Sequence, residues 1–191
     1  MKKSILIIFF LLAFLERTLY DLGPNIELVT TAMILSSFFY GKKETLFLVF
    51  LIMLFSDIVI GNTNIFLFTW TGFLIPVLFS QKIINKFSCL LKPSVKKASS
   101  PLSLAATGLS ANLFFFFWTN FGVWLISGMY SKTLTGLLMS YINALPFLRY
   151  QAISTLIFVP SGFLLIKAVF YLANKYNLSF KVTSLPNSIR N

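Results

Sequence analysis

The sequence predicts an all-α, polytopic membrane protein with about six transmembrane helices, and three observations support this prediction. Of the 191 residues, 57% are hydrophobic and only 11% are charged. The apolar residues form runs whose lengths approach the roughly 20 residues that a helix needs to cross a bilayer. These runs are continuous, whereas the strands of a membrane barrel alternate between apolar and polar positions. We therefore expect one integral membrane domain covering residues 1–191.

Six spans follow when the apolar runs are divided at Gly, Pro, Asn and Lys residues. They cover residues 4–22, 26–40, 45–60, 65–79, 102–118 and 152–172. The polar and basic stretch at 80–101 is predicted to be a loop on the inner side. The segment at 127–147 is short, contains polar residues and reaches Pro146 near its end. It is either a seventh span or a re-entrant element, and we predict an outer-face segment.

The first span begins "MKKSILIIFFLLAF", which is typical of a signal peptide because basic residues precede an apolar stretch. No small-x-small cleavage site follows before Glu16, so we expect this segment to remain as the first helix.

The distribution of Lys and Arg predicts the orientation, because basic loops stay on the cytoplasmic side of a membrane. With six spans, the basic residues of 80–101 and of both chain ends lie on one side, which leaves Arg17, Lys132 and Arg149 toward the other. We therefore expect a multi-pass protein of the bacterial inner membrane with both termini in the cytoplasm. The net charge of +11 is explained by this signal and by anionic lipid headgroups, not by nucleic acid.

Polar residues gather at the predicted outer end of every span, and Asp57 is the least expected of them. A carboxylate at the end of the third helix faces the negative end of the helix dipole. It therefore needs Arg17, Lys132, Arg149 or a polar ligand as a partner. Structural roles remain open for the others, such as an i,i+4 pair of Arg17 with Asp21 and a place for Glu27 in the first turn of helix two.

Amides, a carboxylate and indoles at similar depth are typical of a small apolar pocket with a few converging polar groups. We predict that segment 127–147 forms a lid over this pocket. The predicted substrate-binding residues are Asn25, Asp57, Asn62, Asn64, Trp70, Asn120 and Trp124.

Three stretches resemble an uncharacterised bacterial family of small membrane proteins. They are "ERTLYDLGPNIELVTTAMILSSFFYG", "LFSDIVIGNTN" and "TNFGVWLISGMYSKTLTGLLMSYINALPF", which together extend over residues 16–147. That family is similar in turn to the S components, the substrate-binding subunits of energy-coupling factor vitamin transporters. The resemblance implies an S-component-like helical bundle that binds a vitamin-like molecule or a precursor. It also implies partners, namely a transmembrane coupling protein and ATPase subunits.

S components dock their coupling protein through an Ala-x-x-x-Ala face on the first helix, where this chain offers only Ala13. We therefore expect a coupling interface elsewhere, at Ala32 and Ser36 of the second helix, whose spacing permits close helix packing.

The sequence favours a membrane-embedded binding protein that acts in uptake of a small molecule. A membrane scaffold or assembly protein without such a ligand is the alternative. Enzymatic activity is not expected, because the chain has no His and its single Cys89 lies away from the acidic residues. We also expect no metal and no cofactor.

Overall fold

The computed structural model describes residues 2–20, 22–23, 26–61, 64–91 and 100–176. Six helices form in this part of the chain: α1 (Lys2–Thr18), α2 (Val29–Tyr40), α3 (Lys42–Ile60), α4 (Phe66–Leu91), α5 (Pro101–Ile126) and α6 (Leu134–Lys175). No strand occurs among the described residues. The prediction of an all-α protein is confirmed.

Three of these helices are long and apolar enough to cross a membrane, over Phe66–Leu90, Pro101–Ile126 and Leu134–Ala173. A shorter apolar helix covers Val29–Tyr40. These lengths and compositions indicate a membrane protein, as the sequence predicts.

The fourth helix continues well beyond its predicted end at residue 79. Residues 80–91, expected to begin an inner loop, are the last three turns of α4. Apolar residues recur there at helical spacing, and Ile84 is 2% exposed. Packing on neighbouring helices therefore extends α4 through a stretch whose Lys and Ser residues predicted a loop.

The predicted outer-face segment 127–147 is not separate from the last span. Residues 127–133 form bends, and from Leu134 onward the chain is a single helix through Pro146 and Pro160 to Lys175. Each proline lacks a backbone N–H, so one carbonyl in the preceding turn loses its helical hydrogen bond. In apolar surroundings, neighbouring helices and small changes of helix geometry satisfy such carbonyls. The segment is thus continuous with the last predicted span, and from Leu134 onward it is the first part of α6.

Helix α2 lies at the centre of the bundle and contacts each of the other five helices. Ten of its 12 residues are buried, including Met33, Ile34 and Leu35. Small residues bring the surrounding helices close together. At Gly122, for example, a Cβ atom would lie 2.4 Å from Cγ of Phe68 on α4.

Ser36 does not share a surface with Ala32, which corrects the coupling interface expected on helix two. The Ser36 side chain is fully buried, and its hydroxyl is 2.9 Å from the Thr45 hydroxyl of α3. Ala32, one turn before Ser36, is 3% exposed and lines an apolar groove between α1 and α6. Residues that are four apart lie close on a helix surface, but here the neighbouring helix α3 covers Ser36.

Candidate functional site

A cavity of about 430 Å³ lies at the end of the bundle where α1 and α3 end and where α2 and α4 begin. Aromatic and aliphatic side chains form most of its wall, including Phe66 of α4, Phe115 and Phe116 of α5, and Phe147 of α6. All six helices, or the residues next to them, contribute to it. Its polar lining side chains are Arg17, Glu27, Asp57, Thr69, Thr119, Asn120 and Gln151.

Asp57 is held from two sides by charged and polar donors. Arg17 Nη2 lies 3.1 Å from Asp57 Oδ1, and the Trp70 indole Nε1 donates to Oδ2 at 2.6 Å. The two charged side chains are largely buried, with 15% of Arg17 and 10% of Asp57 exposed. Arg17 is thus the partner that the carboxylate at the end of α3 requires, and both carboxylate oxygens are occupied.

Ser56 completes this arrangement from the adjacent position on α3. Arg17 Nε donates to Ser56 Oγ at 2.9 Å, while that hydroxyl donates to the Met53 carbonyl at 3.2 Å. The Ser-Asp pair therefore orients one guanidinium through two of its nitrogens. The other two cations proposed as partners lie elsewhere: Arg149 is exposed, and Lys132 donates to the carbonyls of Trp124 and Leu125.

Glu27 is the second carboxylate at the cavity, and its surroundings differ from those of Asp57. Its Oε1 atom accepts hydrogen bonds from Gln151 Nε2 at 2.6 Å and from the Thr30 hydroxyl at 3.0 Å. Ser154 donates to its backbone carbonyl at 3.1 Å. The second oxygen, Oε2, accepts no hydrogen bond from the part of the chain that the structure describes. Glu27 precedes α2, close to the positive end of that helix dipole, and its hydrogen bonds to Gln151 and Ser154 also connect it to α6.

The buried amide of Asn112 contacts both residues that donate hydrogen bonds to the Glu27 side chain, Thr30 and Gln151. Asn112 of α5 is 1% exposed, and its Nδ2 donates to the Thr155 hydroxyl at 2.7 Å and to the Gln151 carbonyl at 3.1 Å. Its Oδ1 lies 3.3 Å from the Thr30 hydroxyl, whose single proton is shared between Asn112 and Glu27. This network joins α2, α5 and α6 beneath the cavity, and it fixes the position of the Glu27 carboxylate.

The structure brings two of the seven predicted binding residues, Asp57 and Asn120, to the cavity wall. Asn120 Nδ2 donates to the Phe116 carbonyl of its own helix at 2.8 Å. Trp70 stands behind Asp57 and does not line the cavity, and Asn64 is exposed away from it. Asn25 and Asn62 lie outside the described residues.

The side chain of Trp124, near the end of α5, contacts the bend at residues 127–133 and does not line the cavity. Its Nε1 donates to the Ser131 carbonyl at 3.0 Å, and the Lys132 ammonium lies 5.6 Å from the centre of its ring. The predicted lid contributes only its last turns, through Ala144 and Phe147. Residues 127–133 thus cap the end of α5 without covering the cavity.

The sequence reasoning did not select the side chains that surround Glu27. Glu27 and Gln151 are 124 positions apart, and Asn112 lies near the middle of the predominantly apolar helix α5. An amide in the middle of a membrane-length helix is a usable signal, because such polar groups normally face the bundle interior. Within the described ranges, no three His, Cys, Asp or Glu side chains are grouped so that they could hold a metal ion.

Comparison with known families places the chain in one of them. Residues 1–179 match the model of a family of unknown function, DUF6580, and because this match covers most of the 191 residues, the protein belongs to that family. No curated protein and no solved structure matches the chain.

Proposed function

We propose that the protein binds a small molecule in the cavity between Asp57 and Glu27 and acts in the uptake of that molecule across the cell membrane. The cavity itself supports this proposal. Its volume of about 430 Å³ falls in the range typical of small-molecule sites, roughly 300 to 1,000 Å³. Its apolar wall with a few converging polar groups is also the usual composition of such sites.

The cost of placing charges here also favours a binding role. An ionisable group inside a membrane-spanning bundle costs about 2.5 to 3.5 kcal/mol on insertion scales. Asp57 is compensated by Arg17 and Trp70, and a purely structural role explains that pair. Glu27 Oε2 accepts no hydrogen bond from the described residues, so their contacts do not explain it. A ligand that supplies the missing partner gives it a function.

In this proposal the chain crosses the membrane six times, with both termini in the cytoplasm and the cavity at the outer end. Helix α2 has 12 residues and is about 18 Å long, which is shorter than the hydrocarbon core of about 30 Å. Irregular residues before it must therefore enter the membrane, and such backbone is tolerated where it is buried or lines a cavity. The Leu28 N–H meets this condition, because it donates to Glu16 Oε2 at 3.2 Å.

We propose that partner proteins supply the energy for uptake. By its resemblance to S components, the partners are a transmembrane coupling protein and ATPase subunits. Their copurification with the tagged protein from native membranes tests this part separately from ligand binding.

Native mass spectrometry of the detergent-purified protein tests the binding role. We expect a bound small molecule that is retained in mild conditions and released on activation. Val123→Trp places a large side chain at the cavity wall, whereas Leu125→Trp adds the same ring at an exposed site of α5. The first variant should lose the bound mass and the second should keep it. A protein that carries no metabolite from native membranes would instead favour the scaffold alternative.

A further inference from the structure

We propose that the ligand is an organic cation with an apolar or aromatic body, and that Glu27 is its counter-ion. This inference rests on the proposed binding function and specifies the class of molecule that the same cavity accepts. It follows from the charges of the cavity wall, from the unpaired oxygen of Glu27 and from the aromatic lining.

The charges do not cancel within the described wall of the cavity. Its ionisable side chains there are Arg17, Glu27 and Asp57, so carboxyl groups outnumber cations by two to one. Arg17 is already engaged by Asp57 at 3.1 Å and by Ser56 at 2.9 Å. The pair of Arg17 and Asp57 is therefore close to neutral, and Glu27 is the carboxyl group of the wall that forms no salt bridge with a described residue.

Hydrogen bonds hold the Glu27 carboxyl group in place, but those from described residues involve only one of its two oxygens. Gln151 and Thr30 both donate to Oε1, while Oε2 accepts no hydrogen bond from the described residues. A partly buried carboxylate is costly unless a charge or a donor compensates it. A ligand ammonium at Oε2 supplies both, and charge-assisted hydrogen bonds of this kind are about twice as strong as neutral ones.

The cavity wall that includes Glu27 is suited to bind the apolar or aromatic body of such a cation. Phe115, Phe116 and Phe147 face the same cavity, together with the amide of Gln151. Aromatic rings attract cations through their faces, and they also bury an apolar body. An anionic ligand would meet two carboxyl groups, and Arg17 is the single cationic side chain in the described wall that could bind it.

Three indoles that share a ring and differ in one terminal group test this inference: tryptamine, tryptophol and indole-3-propionate. Equilibrium binding of each to the full-length purified protein is measured by thermal shift and by calorimetry in detergent. We expect tryptamine to bind at least tenfold more tightly than tryptophol, and indole-3-propionate to bind most weakly. This comparison needs only the wild-type protein, so it does not depend on how any variant folds.

Two matched variants then assign the preference to one carboxylate. Glu27→Gln keeps an acceptor for Gln151 and Thr30 but removes the charge, and we expect it to erase the difference between tryptamine and tryptophol. Glu44→Gln removes the same charge from the first turn of α3, at the opposite end of that helix from Asp57, and should leave the preference intact.

Several results would overturn the inference. These are a preference for the neutral or anionic indole, an undiminished preference for tryptamine in Glu27→Gln, or no binding of any of the three probes. None of them removes the proposed binding function, which depends on the bound mass seen by native mass spectrometry and on its loss in Val123→Trp.

Discussion

Replacing Asp57 with Asn separates a structural carboxylate from one that binds ligand directly. The change is nearly isosteric and removes only the charge and one acceptor. In the wild-type protein two donors face this side chain, Arg17 Nη2 at 3.1 Å from Oδ1 and Trp70 Nε1 at 2.6 Å from Oδ2. Asn has one acceptor oxygen and one NH₂ group, so one of the two donors must lose its partner.

The expected cost follows from these contacts. A hydrogen bond that involves a charged group contributes about 1.5 to 3 kcal/mol. Removing one member of a fully buried ion pair costs about 3 to 5 kcal/mol, but the Arg17–Asp57 pair is partly exposed, which lowers that figure. We therefore expect Asp57→Asn to lower the free energy of unfolding by about 2 to 3 kcal/mol. For a chain of this size the melting temperature should fall by roughly 4 to 12 °C.

Thermal unfolding in detergent measures this cost, and a double-mutant cycle assigns it to the pair. Arg17→Gln alone should destabilise the protein by a similar amount. The double variant should be less destabilised than the sum of the two single changes, because each one removes the same interaction. Glu44→Gln is the control for loss of a carboxylate elsewhere on α3, and its effect on stability should add to that of Arg17→Gln.

Two results would refute this reasoning. If Asp57→Asn melts at the wild-type temperature but loses its bound small molecule, the carboxylate contacts ligand and the pair with Arg17 is dispensable. If the effects of the two single substitutions add fully, Arg17 and Asp57 do not stabilise one another.

Three further experiments test the proposed orientation in the membrane, the hydrogen-bond network around Asn112 and the packing of α5 on α4. The exposed Cys89 lies near the end of α4 that we propose to be cytoplasmic, so it should react with an impermeant maleimide only after the cells are permeabilised, and labelling in intact cells would contradict the proposed topology. Asn112→Ala leaves the buried Thr155 hydroxyl without its donor and should lower the free energy of unfolding by about 1 to 3 kcal/mol in thermal melts. Gly122→Ala should cost a similar amount, about 1 to 3 kcal/mol, because its Cβ would meet Phe68 at 2.4 Å, and Phe68→Ala in the same chain should recover part of it.

The sequence alone determined the class of structure and the need for a partner at Asp57. Continuous apolar runs specify helices in lipid, because a helix satisfies its backbone hydrogen bonds within one segment. The cost of a carboxylate at the end of α3 likewise restricted its partner to a ligand or to one of three cations. These conclusions depend on local composition and on general costs of burial, and both can be read from the chain without knowledge of its packing.

Tertiary structure decided where the helices end and which side chains meet. Because of packing between helices, α4 continues past residue 79 and α6 continues through Pro146, although Lys, Ser and Pro residues predicted that the helices would end there. It also selected Arg17 over the other cations, and it joined Glu27 to Gln151 across 124 positions. The physical reason is that helices in this chain are apolar on most of their faces, so no amphipathic pattern shows which side turns inward. Contacts between distant helices set that rotation, and with it the polar groups that line the cavity.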